Sequence, residues 1–242
     1  MTDSTEQKLT ILTVDDNLYT LDILQHALEK ANFNTMAASS GEKGLSLIME
    51  YGLPHLAVVD LNMPPGMSGF QFCRKVHQFS DLPVIMLTAI DEESTIVTGL
   101  EDHAEDYVTK PFNPSELVAR IRRVLRRMGE FAFDYGPFTK VDDNLSVNFA
   151  KRYAVIGGES VSLTPTETKL LYILMRNSGQ TVTTEFIIRR IWPREPVFED
   201  RLHVHMHRLR RKLEAREDMQ YILSERGQGY AFHIGLEDRE VS

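Results

Sequence analysis

The chain has 242 residues, of which 42% are hydrophobic and 26% are charged, and its formal net charge is −8. This length predicts one large domain or two ordinary ones, and no apolar run approaches the roughly 18–20 residues that cross a bilayer. The polar first residues, MTDSTEQK, lack the pattern of a secretory signal, and the single cysteine, Cys73, cannot form an internal disulfide. We therefore expect a cytoplasmic protein in which Cys73 packs as a small apolar side chain.

The charge is distributed unevenly along the chain. Residues 1–128 contain 11 Lys and Arg against 18 Asp and Glu, a net of −7, whereas residues 129–242 contain 16 against 17, a net of −1. Residues 199–213 alone carry five Lys and Arg against two Asp and Glu, a local charge of +3. Because nucleic acid is attracted by a local basic surface, the total charge of −8 does not exclude it as a partner.

Strand and helix patterns alternate through the first half of the chain. Strand-like apolar segments lie at 8–14, 33–38, 56–60, 83–89 and 106–110. Segments with apolar residues at helical spacing follow them, at 18–31, 42–50, 70–78, 93–102 and 114–127. Asn113 and Pro114 form a suitable start for the last helix. Five such pairs predict a doubly wound, five-stranded parallel sheet with helices on both faces.

The pattern changes after Arg127. Short alternating strands with a glycine turn are followed by three predicted helices, at 165–177, 183–191 and 199–215. Thr164 and Glu167 have the spacing of a capping box, and the segment YILSERGQGYAFHI reads as two short strands around a glycine turn. Strands, three helices and a closing hairpin are the order of a winged helix-turn-helix. We predict a first domain at 1–127, a linker at 128–136 and a second domain at 137–242.

Chemically distinctive residues follow the predicted strands at their carboxyl ends: Asp15, Asp16, Asp60, Thr88 and Lys110. In an open parallel sheet the functional crevice lies at these ends. Three carboxylates there repel one another unless a cation is bound, and Mg²⁺ prefers carboxylate oxygens while leaving room for phosphate. Lys110 and Thr88 could then bind an incoming phosphoryl group, and an aspartate beside Mg²⁺ could attack its phosphorus.

The same residues also have ordinary structural interpretations. Asp15 and Asp16 alone could cap the helix at 18–31, and Lys110–Pro111 could form only a strand-to-helix turn. Their joint occurrence at one edge of one sheet favours a site.

The segment FEDRLHVHMHRLRRKLEA, at 198–215, combines an apolar and a basic face. The apolar residues with the spacing of a core stripe are Leu202, Met206, Leu209 and Leu213. The basic face contains Arg201, His205, Arg208 and Lys212, with His207 and Arg211 on its flank. It either lies against a DNA major groove or is an ordinary solvated surface. The histidines at 203, 205 and 207 do not face one way, so they do not predict a zinc site.

Residues 8–127 resemble the receiver domain of two-component response regulators, and residues 131–234 resemble the DNA-binding domain of the OmpR/PhoB class. The first resemblance rests on VDD (14–16), VVDLNMP (58–64), LTA (87–89) and AEDYVTKPF (104–112). The second rests on VHMHRLRRKL and RGQGYAF. Together they imply a flavodoxin-like receiver followed by a winged-helix domain, with a regulatory and not an enzymatic role.

The resemblance implies roles for the residues at the sheet edge. Asp60 corresponds to the phosphoacceptor, and the expected Mg²⁺ ligands are Asp15, Asp16, Asp60 and the backbone carbonyl of Asn62. Thr88 and Tyr107 correspond to the switch residues, Lys110 to a lysine that pairs with phosphate, and Lys110–Pro111 to a bond that is usually cis. A sensor histidine kinase or a small phosphodonor would supply the phosphoryl group, and the resulting homodimer would bind double-stranded promoter DNA.

The resemblance also assigns residues to three interfaces. The expected DNA contacts are Arg201, His205, His207, Arg208, Arg210 and Arg226. Among these, His207 and Arg208 would reach base edges, Arg226 would enter a minor groove, and the others would contact phosphates. The expected dimer interface contains Glu101, Asp106, Glu116, Arg120 and Arg122. The loop at 192–200 matches a segment that touches RNA polymerase in relatives, although it could be a plain connector.

Three positions depart from the family pattern. The family usually has one proline after the acceptor and reaches a glycine eight residues on, whereas Gly69 is nine residues after Asp60 because of an extra residue near Pro65. Ile96 replaces a basic residue that commonly pairs with the glutamate matching Glu116, so one dimer ion pair, worth about 0–1 kcal/mol, should be missing. His203 replaces a common aspartate and predicts a different base preference.

Two alternative functions stay open at this point. An atypical regulator would act without phosphate, and the altered loop after Asp60 keeps this possibility. An aspartate-nucleophile phosphohydrolase is disfavoured, because such enzymes have a second aspartate two residues after the nucleophile, where this chain has Asn62.

Overall fold

The computed structural model describes residues 8–89, 104–128, 133, 135–193, 195–214 and 219–234. The chain divides into two compact units, one formed by residues 1–76 and 82–129 and the other by 77–81 and 130–242. Within the described ranges, no helix has both the length and the apolar character needed to span a bilayer.

The first unit contains a five-stranded parallel sheet. Its strands are β1 (Thr10–Val14), β2 (Asn34–Ala38), β3 (Leu56–Asp60), β4 (Val84–Ala89) and β5 (Asp106–Lys110). They lie in the order β2-β1-β3-β4-β5, and every neighbouring pair is parallel. All five residues of β3 are buried, which explains why that segment is continuously apolar up to Asp60. The predicted doubly wound sheet is therefore confirmed.

The described helices of this unit are α1 (Leu18–Lys30), α2 (Gly41–Tyr51), α3 (Gly69–Val76) and α4 (Pro114–Arg127). Asn17 caps α1, because its Oδ1 accepts hydrogen bonds from the backbone N–H groups of Tyr19 and Thr20 at 2.9 and 3.3 Å. The interpretation of Asp15 and Asp16 as the cap is therefore wrong. Asn113 caps α4 as predicted, and the helix expected at 93–102 lies outside the described residues.

The second unit begins with a four-stranded antiparallel sheet of β6 (Thr139–Lys140), β7 (Leu145–Asn148), β8 (Tyr153–Ile156) and β9 (Glu159–Ser162). Its helices are α5 (Pro165–Arg176), α6 (Thr184–Ile191) and α7 (Glu199–Leu213), each within two residues of its predicted limits. Thr164 and Glu167 form the predicted capping box at the start of α5, with hydrogen bonds of 3.3 and 2.8 Å. The described helices of this unit follow the predicted order of a winged helix-turn-helix.

A second, three-stranded sheet completes this unit. It consists of β10 (Thr181–Thr183), β11 (Ile222–Glu225) and β12 (Gly229–Phe232), in the order β10-β12-β11. The sequence predicted the β11–β12 hairpin but not β10, which has only three residues and precedes α6 directly. β10 pairs closely with β12, and a Cβ at Gly229 would overlap the Val182 carbonyl oxygen.

Helix α7 is held in this unit by its apolar face. The four residues of the predicted stripe, Leu202, Met206, Leu209 and Leu213, are all buried, and α7 packs against α5 and α6. This packing leaves the remaining faces of α7 for polar contacts.

Candidate functional site

The carboxyl ends of the parallel strands bring three of the predicted site residues into direct contact. Nζ of Lys110 lies 2.7 Å from Oδ2 of Asp15 and 2.8 Å from Oδ2 of Asp60. Asp15 is fully buried and Asp60 is 7% exposed. The cluster forms because Asp15 directly follows β1, while Asp60 and Lys110 end β3 and β5, and these strands belong to one parallel sheet.

Burial and Lys110 have opposite effects on the pKa of Asp60. Removal of water raises the pKa of its carboxyl, and the charge of Asp15 adds to the rise, whereas Lys110 and the Asn62 N–H oppose it. At Lys110, burial alone would lower the pKa, but the hydrogen bonds and charges of the two carboxylates outweigh it and raise the pKa. Lys110 therefore stays charged and holds two mutually repelling carboxylates side by side.

The same carboxylates can serve as metal ligands. Asp15, Asp16 and Asp60 each offer an oxygen within 4.8 Å of the others, and Asp16 is exposed. Backbone N–H groups orient two of them: Asn17 donates to Oδ1 of Asp15 at 2.9 Å and Asn62 to Oδ1 of Asp60 at 3.4 Å. Hard oxygen donors with an exposed side suit Mg²⁺, which keeps several of its waters.

Thr88 and Tyr107 occupy different levels of the sheet. Leu87 lies opposite Asp60 in the neighbouring strand, so the buried Thr88 is one residue further along the edge that holds the carboxylates. Its hydroxyl donates to the Ala89 carbonyl at 3.2 Å. Tyr107 pairs with Met86, further from the edge, and burial raises the pKa of its hydroxyl to about 12.

The loop after β3 leaves the site through the two prolines. The Pro64–Pro65 and Lys110–Pro111 peptide bonds are both cis, the second as the family resemblance implies. Gly69 closes the loop, because its N–H donates to the Leu61 carbonyl at 2.9 Å.

Three predicted DNA-contact residues are exposed and open to a partner. They are His207 and Arg208 on α7, and Arg226 in the turn between β11 and β12. Among the described residues, none of the three forms a hydrogen bond or an ion pair within the chain. This arrangement suits side chains that would reach an external partner.

The remaining predicted DNA contacts are bound within the second unit. Arg201 forms an ion pair with Glu195 and lies 4.8 Å from the ring centroid of Trp192. His205 lies 5.5 Å from the same ring, and burial followed by the charges of Arg208 and Arg201 lowers its pKa.

Arg210 is directed toward the closing hairpin. It donates to the Ile222 carbonyl at 3.1 Å and to Oγ of Ser224 at 2.9 Å, and its guanidinium carbon lies 5.7 Å from the Tyr230 ring centroid. The arginine therefore joins α7 to the hairpin, whatever further contact its remaining N–H groups make.

Lys212 faces away from the surface on which the sequence placed it. Its Nζ donates to the Glu167 carboxylate at 2.6 Å and to the Ser162 carbonyl at 2.9 Å. Helical periodicity correctly places the backbone of Lys212 on the same side of α7 as Arg201 and Arg208. Its long side chain, however, extends to Glu167 in the first turn of α5.

His203 has a partner that the sequence reasoning missed. Its Nδ1 lies 2.5 Å from the Tyr230 hydroxyl oxygen, and both residues line a cleft of about 760 Å³ with Thr181, Glu199 and Arg226. The tyrosine of the RGQGYAF segment was visible in the sequence, but no local signal connected it to α7.

The predicted dimer residues make contacts within one chain. Arg120 binds Glu116 at 2.7 Å and Asp106 at 3.1 Å, and Arg122 donates to the Ala31 carbonyl at 3.1 Å. Glu101 and Ile96 lie outside the described residues. Glu116 thus has Arg120 as a partner in its own chain.

Comparison with known proteins agrees with both parts of this description. The model of the response regulator receiver domain matches residues 11–122, and that of the transcriptional regulatory protein C-terminal domain matches residues 158–232. The matched residues make up more than half of the chain. The chain belongs to the OmpR/PhoB class of response regulators. A receiver joined to a DNA-binding domain implies a sensor kinase and DNA as partners of this response regulator.

Its relatives are similar over nearly their whole length. The probable transcriptional regulator ycf27 of Porphyra purpurea is 38% identical over 246 residues, covering 96% of this chain and 97% of the relative. The DNA-binding response regulator MtrA of Mycobacterium leprae is 36% identical over 222 residues, covering 91% and 96%. Among solved structures, the response regulator DrrB of Thermotoga maritima is 28% identical, with a TM-score of 0.45, covering 94% of this chain and 100% of that chain.

Proposed function

We propose that this response regulator is switched by phosphorylation of Asp60 in the presence of Mg²⁺. Asp15, Asp16, Asp60 and the backbone carbonyl of Asn62 would hold the ion. The observation that carries this proposal is the position of Lys110, whose Nζ contacts both Asp15 and Asp60 at the open edge of the sheet. Such an arrangement supports roles for Asp60 as the nucleophile, Asp15 as a metal ligand and Lys110 as the cation that would pair with phosphate.

The chemistry of the transfer follows from these groups. An oxygen of the ionised Asp60 attacks the phosphorus of the donor, a new O–P bond forms, and the bond to the leaving histidine or acetate breaks. Bound Mg²⁺ would neutralise the carboxylates and the charge of the phosphoryl oxygens. Lys110 then exchanges a contact with Asp60 for one with a phosphoryl oxygen. Thr88, one residue along the same edge, supplies a hydroxyl that can donate to the product.

The switch is a shift of population between two receiver conformations. Thr88 would follow the phosphoryl group, and the half-buried Tyr107 would change its rotamer. The phosphorylated conformation would favour a homodimer through Asp106, Glu116, Arg120, Arg122 and Glu101. Because DNA with two half-sites also favours the dimer, phosphorylation and DNA binding would strengthen each other.

The DNA contacts divide according to whether the side chain is already bound. His207 and Arg208 are open and would reach base edges from α7, and Arg226 would enter a minor groove from the hairpin turn. Arg201, His205 and Arg210 would contact phosphates from positions that protein contacts already hold. Phe198, which is 83% exposed, supports a partner surface for RNA polymerase in the loop 192–200.

DNA as the target supports a cytoplasmic location.

The test compares wild type with Asp60→Ala in acetyl phosphate and Mg²⁺. The readouts are intact mass, sedimentation velocity, and anisotropy with a duplex that the wild type selects from a random library. Only wild type should gain one phosphoryl group, dimerise and bind more tightly. Asp22→Ala, which removes an exposed carboxylate of α1, is the control and should behave as wild type.

Two other results would support the rival functions. Equal dimerisation and DNA binding of both proteins, with or without acetyl phosphate, would support a regulator that needs no phosphate. Rapid multiple turnover of a small phosphomonoester would support a phosphohydrolase.

A further inference from the structure

The loop between β3 and α3 is anchored by Glu42, which is not one of the three carboxylates Asp15, Asp16 and Asp60. Oε1 of Glu42, in the first turn of α2, accepts a hydrogen bond from the Met67 backbone N–H at 3.0 Å. The N–H of Glu42 itself, then Ser40 and Met67, lower the pKa of this carboxyl, so Glu42 is ionised at neutral pH. The anchor is therefore a charge-assisted hydrogen bond to main chain.

The start of α2 and the middle of the loop also fit closely together. A Cβ at Gly66 would lie 3.1 Å from Oε2 of Glu42, and a Cβ at Gly41 would lie 3.1 Å from Cβ of Met67. The Met67 side chain is buried. The two glycines thus let the loop approach α2 until the carboxylate reaches the main chain.

The anchor divides the loop into two parts. At its beginning, the Leu61 N–H donates to the Leu87 carbonyl at 2.9 Å, and at its end Gly69 closes on Leu61. Asn62 lies between the fixed Leu61 and the fixed Met67, together with the exposed Pro64 and Pro65. Between them, the Gly66 N–H donates to the Met63 carbonyl at 3.1 Å, so one short turn links Met67 to the segment that holds Asn62. We expect freedom gained at Met67 to reach Asn62 through this turn.

We propose that Glu42 is a positioning residue for the cation site, acting through the Met67 amide. It holds the lengthened loop in the conformation in which Asn62 lies beside Asp60, to whose Oδ1 the Asn62 N–H donates at 3.4 Å. From this position the Asn62 carbonyl would bind the ion. The extra residue near Pro65 gives the physical reason, because an added loop residue brings conformational freedom that ion binding would otherwise have to remove. This inference rests on the proposed function, since it takes Asp15, Asp16, Asp60 and Asn62 as the ligands.

Three substitutions in the full chain separate positioning from charge. Glu42→Ala removes the acceptor, whereas Glu42→Gln removes the charge but keeps an oxygen that can accept from Met67. Glu50→Ala is the control, because it removes a carboxylate from the same helix eight residues away, about 12 Å along the axis. Mn²⁺ replaces Mg²⁺ as the probe, and its free concentration is read directly by electron paramagnetic resonance.

Glu42→Ala should weaken Mn²⁺ binding about tenfold, at the lower end of the roughly 10–100-fold loss typical of groups that orient metal ligands. Glu42→Gln should recover most of this loss, and Glu50→Ala should match wild type. Hydrogen exchange at the Met67 amide, followed by nuclear magnetic resonance, should accelerate in Glu42→Ala and stay slow in Glu42→Gln.

Three results would overturn the inference. If Glu42→Gln loses as much Mn²⁺ affinity as Glu42→Ala, the charge and not the hydrogen bond acts. If Met67 exchanges faster in Glu42→Ala while Mn²⁺ affinity stays unchanged, the anchor is structural only, and the proposed cation site stands. If wild type binds Mn²⁺ no better than Asp60→Ala, the proposed cation site itself fails and the inference fails with it.

Discussion

The backbone carbonyl oxygen of Asp60 occupies the space that a Cβ on Gly69 would need. The carbon of that carbonyl and the Leu61 Cα would each lie 3.1 Å from such a Cβ. The start of α3 therefore packs directly on the main chain that carries the proposed phosphoacceptor. A side chain at position 69 can enter only if that main chain moves.

This contact predicts the effect of Gly69→Ala. The substitution should destabilise the receiver by about 1–3 kcal/mol, as overpacking does elsewhere, and should slow phosphorylation by acetyl phosphate because Asp60 shifts. Urea unfolding and intact mass measure the two effects. Gly136→Ala is the control, since a Cβ there would meet nothing within 4 Å. Equal stability and phosphorylation of the two variants would contradict the close packing at Gly69.

A second prediction concerns the pH dependence of stability that Asp60 causes. Because burial raises its folded pKa above the ordinary value of 3.8, folding becomes less favourable as the pH rises from that value through the folded pKa. Asp60→Asn should therefore stabilise the metal-free protein at pH 7 but not at a pH below 3.8. Thermal unfolding in EDTA, across this pH range, measures the difference.

Mg²⁺ should reverse the order of stability of wild type and Asp60→Asn. An ion that binds only the folded state stabilises it by an amount that grows with the logarithm of the ion concentration relative to its Kd. Added Mg²⁺ should therefore raise the Tm of wild type more than that of Asp60→Asn. If Asp60→Asn is no more stable than wild type in EDTA at pH 7, the buried carboxylate of Asp60 does not destabilise the fold. If Mg²⁺ raises the Tm of both proteins equally, that carboxylate does not bind the ion.

A third prediction concerns Lys212 and Glu167 in the second unit. Burial alone would raise the pKa of Glu167, but hydrogen bonds from Lys212 and the Thr164 N–H lower it below 4.5. The stabilisation is therefore present above pH 4.5 and is lost as the pH falls through the lower folded pKa. Lys212→Met should cost about 1.5–3 kcal/mol at pH 7, as loss of a hydrogen bond to a charged group does.

Because Lys212 is bound to Glu167, its loss should change DNA affinity little. Urea unfolding and anisotropy with the selected duplex separate the two effects. A Lys212→Met protein of normal stability and weakened DNA binding would return the lysine to the DNA-facing surface.

A fourth prediction compares two arginines of α7. Arg208 is open, so Arg208→Ala should cost about 1–3 kcal/mol of binding to the selected duplex and relax the preference at one base. Arg201 already has Glu195 and Trp192 as partners, so Arg201→Ala should weaken binding to all sequences similarly and reduce the salt slope by about 1. Lys140→Ala, which removes an exposed charge from β6, is the control.

Anisotropy at several salt concentrations, with the selected duplex and a scrambled one, provides the measurement. If Arg201→Ala relaxes sequence preference and Arg208→Ala does not, the assigned roles are reversed.

Much of this architecture could be predicted because local signals agree with the final fold. β3 has the predicted limits because its apolar run ends at Asp60. β5 ends at Lys110, as predicted, directly before Pro111. The start of α4 was visible in Asn113 and Pro114. The acidic site followed from topology, since residues at the carboxyl ends of parallel strands meet at one edge.

The side-chain partners could not be predicted in the same way. Helical periodicity places Lys212 and Arg210 on a face of α7, but their long side chains reach Glu167 and Ile222, which other elements bring close. Asn17 caps α1 in place of the neighbouring aspartates, because the Asp15 carboxylate accepts a hydrogen bond from Lys110, 95 positions away.

The sequence alone therefore set the two kinds of domain, the sheet edge and the residue types of the site, because these depend on periodicity and strand order. Only the tertiary structure decided which polar groups pair, as in the hydrogen bond from the Met67 amide to Glu42. Such pairs depend on distances of a few ångströms between residues far apart in sequence, and no local pattern records those distances.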